Sequence, residues 1–155
     1  MALEIERKFL VISDDYKAGI EPVSIRQGFV STHKDHLVRV RIQGNKGFLA
    51  LKGSGSGITR IEFEYEIPVE DAHQMLEELC TTTIEKLRYE IPSGKHGWEV
   101  DEFLNDNSGL VIAEIELQSE DEDFFKPSWL GKEVTGDPLY YNANLIDHPF
   151  CNWGS

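Results

Sequence analysis

Acidic and basic side chains recur two residues apart along much of this 155-residue chain, in blocks of one sign. Glu4 and Glu6 precede Lys8; Arg39 and Arg41 form a second block; Lys52 stands alone; Arg60 precedes Glu62 and Glu64. Lys86 and Arg88, then Glu99 and Asp101, then Glu114 and Glu116 complete the series. Carboxylate clusters suit hard divalent cations such as Mg²⁺, which want oxygen ligands and keep several waters. Clustered Arg and Lys suit phosphate oxygens, Arg as a bidentate fork and Lys as a point charge. Phosphoryl transfer needs positioning and charge neutralisation more than covalent help. A triphosphate is therefore the natural guest for such a set.

The residues between the charges are mostly apolar: Ile5 and Phe9; Val38, Val40 and Ile42; Ile61, Phe63 and Tyr65; Leu87 and Tyr89; Trp98 and Val100; Ala113, Ile115 and Leu117. Side chains two apart in a strand share a face, so these segments each carry one charged and one apolar face. Period two does not say which face looks inward, and an antiparallel sheet with one wet face is the plain alternative. The charged faces are almost free of Ser, Thr and Gln and nearly single-signed, which favours a closed charged interior with the apolar faces outside.

Strands are expected at 4–11, 24–31, 37–43, 47–52, 60–67, 84–91, 97–103 and 111–118, separated by turn formers such as Gly44-Asn45-Lys46-Gly47. A helix is expected over 69–80, where Val69, Ala72, Met75, Leu76 and Leu79 share one face, with weaker helices at 119–125 and 141–146. The predicted class is α+β, mainly β: an eight-stranded antiparallel β-barrel or tunnel with a few flanking helices, in a single domain over 1–155.

The net charge of −13 argues against a nucleic-acid or anionic-membrane surface. No apolar run is long enough to span a membrane, and no signal peptide is evident. Cys80 and Cys151 match no metal or redox spacing, so a cytoplasmic protein with free thiols is expected. The glycine-serine stretch 53–57 lacks a Lys-Ser/Thr ending and reads as a hairpin loop. His33, His36, His73, His96 and His148 show no zinc spacing, and Trp98, Trp129 and Trp153 read as packing residues.

The opening Glu4-Ile5-Glu6-Arg7-Lys8-Phe9 has the E-x-E-x-K form that begins members of the CYTH superfamily, the triphosphate tunnel metalloenzymes. Arg39-Val40-Arg41, Leu51-Lys52, Arg60-Ile61-Glu62-Phe63-Glu64, Glu85-Lys86-Leu87-Arg88-Tyr89, Trp98-Glu99-Val100-Asp101 and Ala113-Glu114-Ile115-Glu116 follow in the order and approximate spacing of that family. The stretch from Gly131 to Asn142 is similar to its C-terminal segment. The resemblance implies metal-dependent hydrolysis of inorganic tripolyphosphate or an organic triphosphate, with Mg²⁺ or Mn²⁺. It makes Glu4, Glu6, Glu114 and Glu116 the metal carboxylates, and Lys8, Arg39, Arg41, Lys52, Arg60, Lys86, Arg88 and Lys132 the triphosphate clamp. It gives Lys8, Glu62, Glu64 and Asp101 catalytic places. The alternatives on the same scaffold are a class IV-like adenylate cyclase and a non-catalytic module that binds polyphosphate or nucleotide; a homodimer is compatible with each. The chain departs from the bacterial tripolyphosphatases at Phe29, where a Tyr is common, and at Leu139 and Tyr141, where Arg or Lys is common.

Overall fold

A pleated backbone sends neighbouring side chains to opposite faces, so an alternating sequence can give its two faces to two different environments. In the computed structural model, residues 3–33, 35–53 and 58–154 are described. Nine strands form among them: β1 (Leu3–Val11), β2 (Val23–His33), β3 (His36–Gln43), β4 (Lys46–Gly53), β5 (Thr59–Ile67), β6 (Thr83–Ser93), β7 (His96–Phe103), β8 (Val111–Glu116) and β9 (Leu130–Glu133). The α-helices are α1 (Val69–Glu78) and α2 (Asn142–Asp147).

The strand order is β5-β4-β3-β2-β6-β7-β8-β1-β9, and β1 also pairs with β5. All pairings are antiparallel, and eight strands close into a ring. Closure uses the start of β1, where Leu3, Glu4 and Ile5 face Ile61, Arg60 and Thr59. On its other edge β1 pairs with β8 from Glu6↔Glu116 to Leu10↔Ile112. The end of β1 is left for β9, which lies alongside as a ninth strand. That strand escapes sequence reading because Leu130-Gly131-Lys132-Glu133 has no alternation and is only 4 residues long.

The charged faces look into the ring and the apolar faces look out, where three covers meet them. On β7 and β8, Trp98, Val100, Ala113 and Ile115 pack with Phe9, Tyr16 and Trp129. On β3, Val40 and Ile42 lie under Ala72 and Leu76 of α1. Ile84, Phe103, Leu110 and Ile112 pack with Leu145 of α2. The helix expected at 119–125 does not form. Glu122 instead accepts from the Gln118 backbone N–H at 2.6 Å and from His96 at 2.6 Å, while Ser119 donates to Asp121. Consecutive acids at 120–123 would repel one another in a helix, and these local bonds give the backbone another solution. The irregular segment carries Phe124 onto Trp98, ring centroids 5.7 Å apart. The loop expected at 53–57 lies, at 54–57, outside the described residues; β4 and β5 on either side pair as a hairpin. Among the described residues no helix is long and apolar enough to cross a membrane.

α1 sits directly on the backbone of β4. A Cβ built on Gly47 would lie 2.8 Å from Ala72 Cβ and 3.1 Å from the Ile67 carbonyl oxygen. Gly47→Ala should therefore destabilise the fold by about 1–3 kcal/mol through overpacking. Urea denaturation measures this, and an unchanged midpoint would contradict the close seating of α1.

Candidate active site

Each of the eight ring strands sends side chains into a cavity of about 610 Å³. Seven carboxylates line it: Glu4, Glu6, Glu62, Glu64, Glu99, Glu114 and Glu116. Seven basic residues join them: Lys8, Arg39, Arg41, Lys52, Arg60, Lys86 and Arg88. The chain as a whole carries −13, so the acidic excess lies outside this lumen. Thr135, Gly136, Pro138 and the segment from Tyr141 to Asn144 also face the cavity.

The strand order sets the charges opposite one another. β1 and β8 bring Glu4, Glu6, Glu114 and Glu116 together, while β3 and its neighbour β4 hold Arg39, Arg41 and Lys52 across the ring. On the acidic side the carboxyls crowd. Burial, a hydrogen bond with Glu62 and nearby acids push Glu4 up to about 8 against the pull of Lys52. Burial with Glu114 and Glu4 drives Glu6 well above the usual carboxylate range. Burial opposes ionisation of Glu114 as well, but Lys8 and a hydrogen bond from Glu6 hold it far below that range. Lys8 stands 3.4 Å from Glu114, and Lys52 stands 3.4 Å from both Glu4 and Glu62. Carboxyls that must share protons to stay this close form a donor set that suits a hard cation, which would take the place of the shared protons. Among the described residues no three His, Cys, Asp or Glu form a ready-made metal cage. Mg²⁺ does not need one, since it usually takes one or two carboxylates, several waters and substrate phosphates.

The basic side is built differently. Arg39 and Arg41 each donate an Nη2 to Glu64 Oε2, at 2.9 and 3.0 Å. Arg41 also lies over the Phe48 ring at 5.0 Å, and burial beside Arg39 brings its guanidinium down to about 10. The Nε donors of both residues are buried and have no hydrogen-bond partner among the described residues. A buried donor without an acceptor costs about 1–3 kcal/mol, and more for a charged group.

Two expected site residues stand elsewhere. Asp101 does not line the cavity but lies buried behind Lys86 and Arg88, within 2.8 Å of each. Lys132 is exposed on β9, beyond the closed ring, and is not among the lining residues. Three lining or supporting residues were not identified by sequence pattern. Asn142 Oδ1 accepts from both Gln27 Nε2 at 2.7 Å and Lys86 Nζ at 2.9 Å. The Tyr141 ring lies 5.6 Å from Lys8 Nζ and 5.8 Å from Arg60 Cζ. Single polar residues in short helices carry no periodic signal, although Tyr141-Asn142 falls in the C-terminal stretch already singled out.

Comparison with known proteins agrees with this geometry. A family model described as "CYTH domain" matches residues 2–148. A protein of Acetivibrio thermocellus named inorganic triphosphatase is 53% identical across 99% of this chain and 99% of its own length. A Nitrosomonas europaea protein of the same name is 38% identical, covering 92% of this chain and 95% of itself. A solved inorganic triphosphatase structure is 33% identical and superposes with a TM-score of 0.65 over 92% of this chain and 96% of that one.

Two outcomes follow from the basic wall. Arg41→Met should weaken binding of inorganic tripolyphosphate about 10- to 100-fold by calorimetry, the worth of one hydrogen bond to a charged group. Burial also brings Lys86 down to about 8, outweighing its attraction to Asp101. Tripolyphosphate affinity should thus fall as pH rises through about 8, where Lys86 loses its charge and Glu4 gains one; Lys86→Met should lessen the fall and Lys86→Met/Glu4→Gln should remove it. An affinity flat from pH 7 to 9 would contradict the placement of both residues.

Proposed function

The chain belongs to the CYTH domain family, and we propose that it hydrolyses a linear triphosphate inside its ring of strands, with a divalent cation as cofactor. The observation that carries this reading is the bank of basic side chains, Arg39, Arg41 and Lys52 among them, facing a bank of crowded carboxyls in one cavity. A pure cation site would not need the first, and a pure anion site would not need the second. The names of the curated relatives, both inorganic triphosphatases, support the same substrate class.

Glu4, Glu6, Glu114 and Glu116 would hold Mg²⁺ or Mn²⁺. When bound, such an ion supplies charge neutralisation of the phosphate oxygens and acidifies coordinated water. Arg39, Arg41 and Lys52 hold the phosphate chain from the other side, and Lys8 and Arg60 reach it from β1 and β5. Glu62 lies between Lys52 at 3.4 Å and Arg39 at 3.9 Å; against the effect of its burial, Glu4 and these cations keep it below its usual pKa. It is therefore ionised and able to orient a water. Both arginine bonds to Glu64 fall on Oε2, leaving Oε1 outside them for the same work. Water attacks the terminal phosphorus, the bond from that phosphorus to its bridging oxygen breaks, and diphosphate leaves with the electron pair. The attacking water loses one proton, and the basic wall stabilises the charge spread over the transferring group. The two cysteines are free thiols, which suits a cytoplasmic setting.

Phosphate release from tripolyphosphate, ATP, GTP and thiamine triphosphate, with Mg²⁺ or Mn²⁺ and with chelator, tests the reading. Metal-dependent orthophosphate is expected, falling at least about 100-fold in the Glu4→Ala/Glu6→Ala variant, the scale of losing transition-state charge stabilisation. Cyclic AMP with pyrophosphate from ATP would move the assignment to a cyclase. Tight tripolyphosphate binding with no turnover would leave a binding module.

A further inference from the structure

Arg88 does not turn its fork toward the lumen. Its Nε donates to Asp101 Oδ1 at 2.8 Å and its Nη2 to Asp101 Oδ2 at 2.9 Å, while Nη1 lies 3.3 Å from Glu99. Lys86 Nζ lies 2.8 Å from the same Asp101 Oδ2. Asp101, Lys86 and Arg88 are 2%, 3% and 6% exposed, so these contacts are shielded from water. Lys86 and Arg88 line the cavity and Asp101 does not. A carboxylate with both oxygens committed to N–H donors behind the wall is not placed to take a proton from water or to touch a phosphate. Arg39 and Arg41 stand in contrast, since their Nε donors have no partner among the described residues.

We propose that Asp101 is the positioning residue of the basic wall, fixing Arg88 and Lys86 at one spacing. The inference rests on the triphosphatase reading and gives the wall two parts. Arg39, Arg41 and Lys52 grip the bound phosphates. The Lys86–Asp101–Arg88 trio presents a rigid field that needs no reorganisation when charge develops in the transition state.

Steady-state kinetics on tripolyphosphate with Mg²⁺, and calorimetric binding of tripolyphosphate without metal, test this on Asp101→Asn. The expected result is a split: kcat falls at least about tenfold, within the range a misplaced group can cost, while KM and metal-free affinity at pH 7 stay within threefold, because Asp101 holds the buried Lys86 protonated and its loss releases that proton. In an Arg88→Met/Lys86→Met background, Asp101→Asn should change kcat less than threefold. An unchanged kcat overturns the proposal. So does a fall in affinity as large as the fall in kcat, as does a full loss in the doubly substituted background. Should Asp101→Asn not fold, Arg88→Lys reads the same contact from the other side. It keeps the charge but cannot span both Asp101 oxygens, so kcat should fall about tenfold with metal-free affinity within threefold, and an unaltered kcat again overturns the proposal. The binding arm needs no turnover. A chain that bound tripolyphosphate and released no phosphate would sink the hydrolase reading, while a Lys86 inflection in binding moved to lower pH by Asp101→Asn would still report on the contact.

Discussion

Equal numbers of carboxylates and basic side chains face each other inside one ring of strands, and the rest of the molecule is arranged to keep them there. Charges taken out of water are costly unless paired and hydrogen-bonded. Pairing between nearby strands of the wall partly meets that cost, through contacts such as Arg39 with Glu64 and Lys52 with Glu4 and Glu62. It does so incompletely. Acids on β1 and β8 crowd until they share protons, and arginines on β3 keep donors without acceptors. Entry of a polyanion together with its cations relieves the first, since a cation takes the place of the shared protons. A metal–triphosphate complex also carries less net charge into the lumen than the bare polyanion, and its cation meets the crowded carboxyls that the anion alone would not.

Putting the charges inside sends the apolar faces outside, which inverts the usual arrangement of a globular protein and creates a covering problem. Three covers solve most of it, while Leu51, Ile61, Phe63 and Tyr65 on β4 and β5 stay exposed. Helix α1 seats on β3 and β4 through Ala72 and Leu76, the irregular 118–130 segment brings Phe124 and Trp129 onto Trp98, and α2 delivers Leu145 onto Ile84 and Phe103. The last cover also carries Tyr141 and Asn142 to the cavity, so the C-terminal segment supports the fold and lines the site at once.

Most of the ring was legible in the sequence because its signal is repeated. Six of the eight expected strands alternate charged and apolar residues with period two, and their nearly single-signed charged faces favoured a lumen over a wet surface. The same logic brought Glu4, Arg39, Lys52, Glu62 and Glu114 into one cavity from separate readings of five strands. What failed had no period to read. β9 is too short and too mixed, and the acidic run at 120–123 looked like a helix start although Glu122 is held by His96 and the Gln118 backbone. Asp101 shared the alternation of the lumen residues, yet the ion pairs with Arg88 and Lys86 draw it behind the wall. Alternation reports which face a residue takes; it does not report whether a neighbour has already claimed that side chain.

The most direct test of the account is to locate Mn²⁺ by anomalous scattering in crystals grown with tripolyphosphate. The account predicts Mn²⁺ against Glu4, Glu6, Glu114 and Glu116, with phosphate oxygens on Arg39 and Arg41 across the same lumen. Tripolyphosphate bound on the outer face, or seated in the lumen with manganese nowhere near those carboxylates, would contradict it.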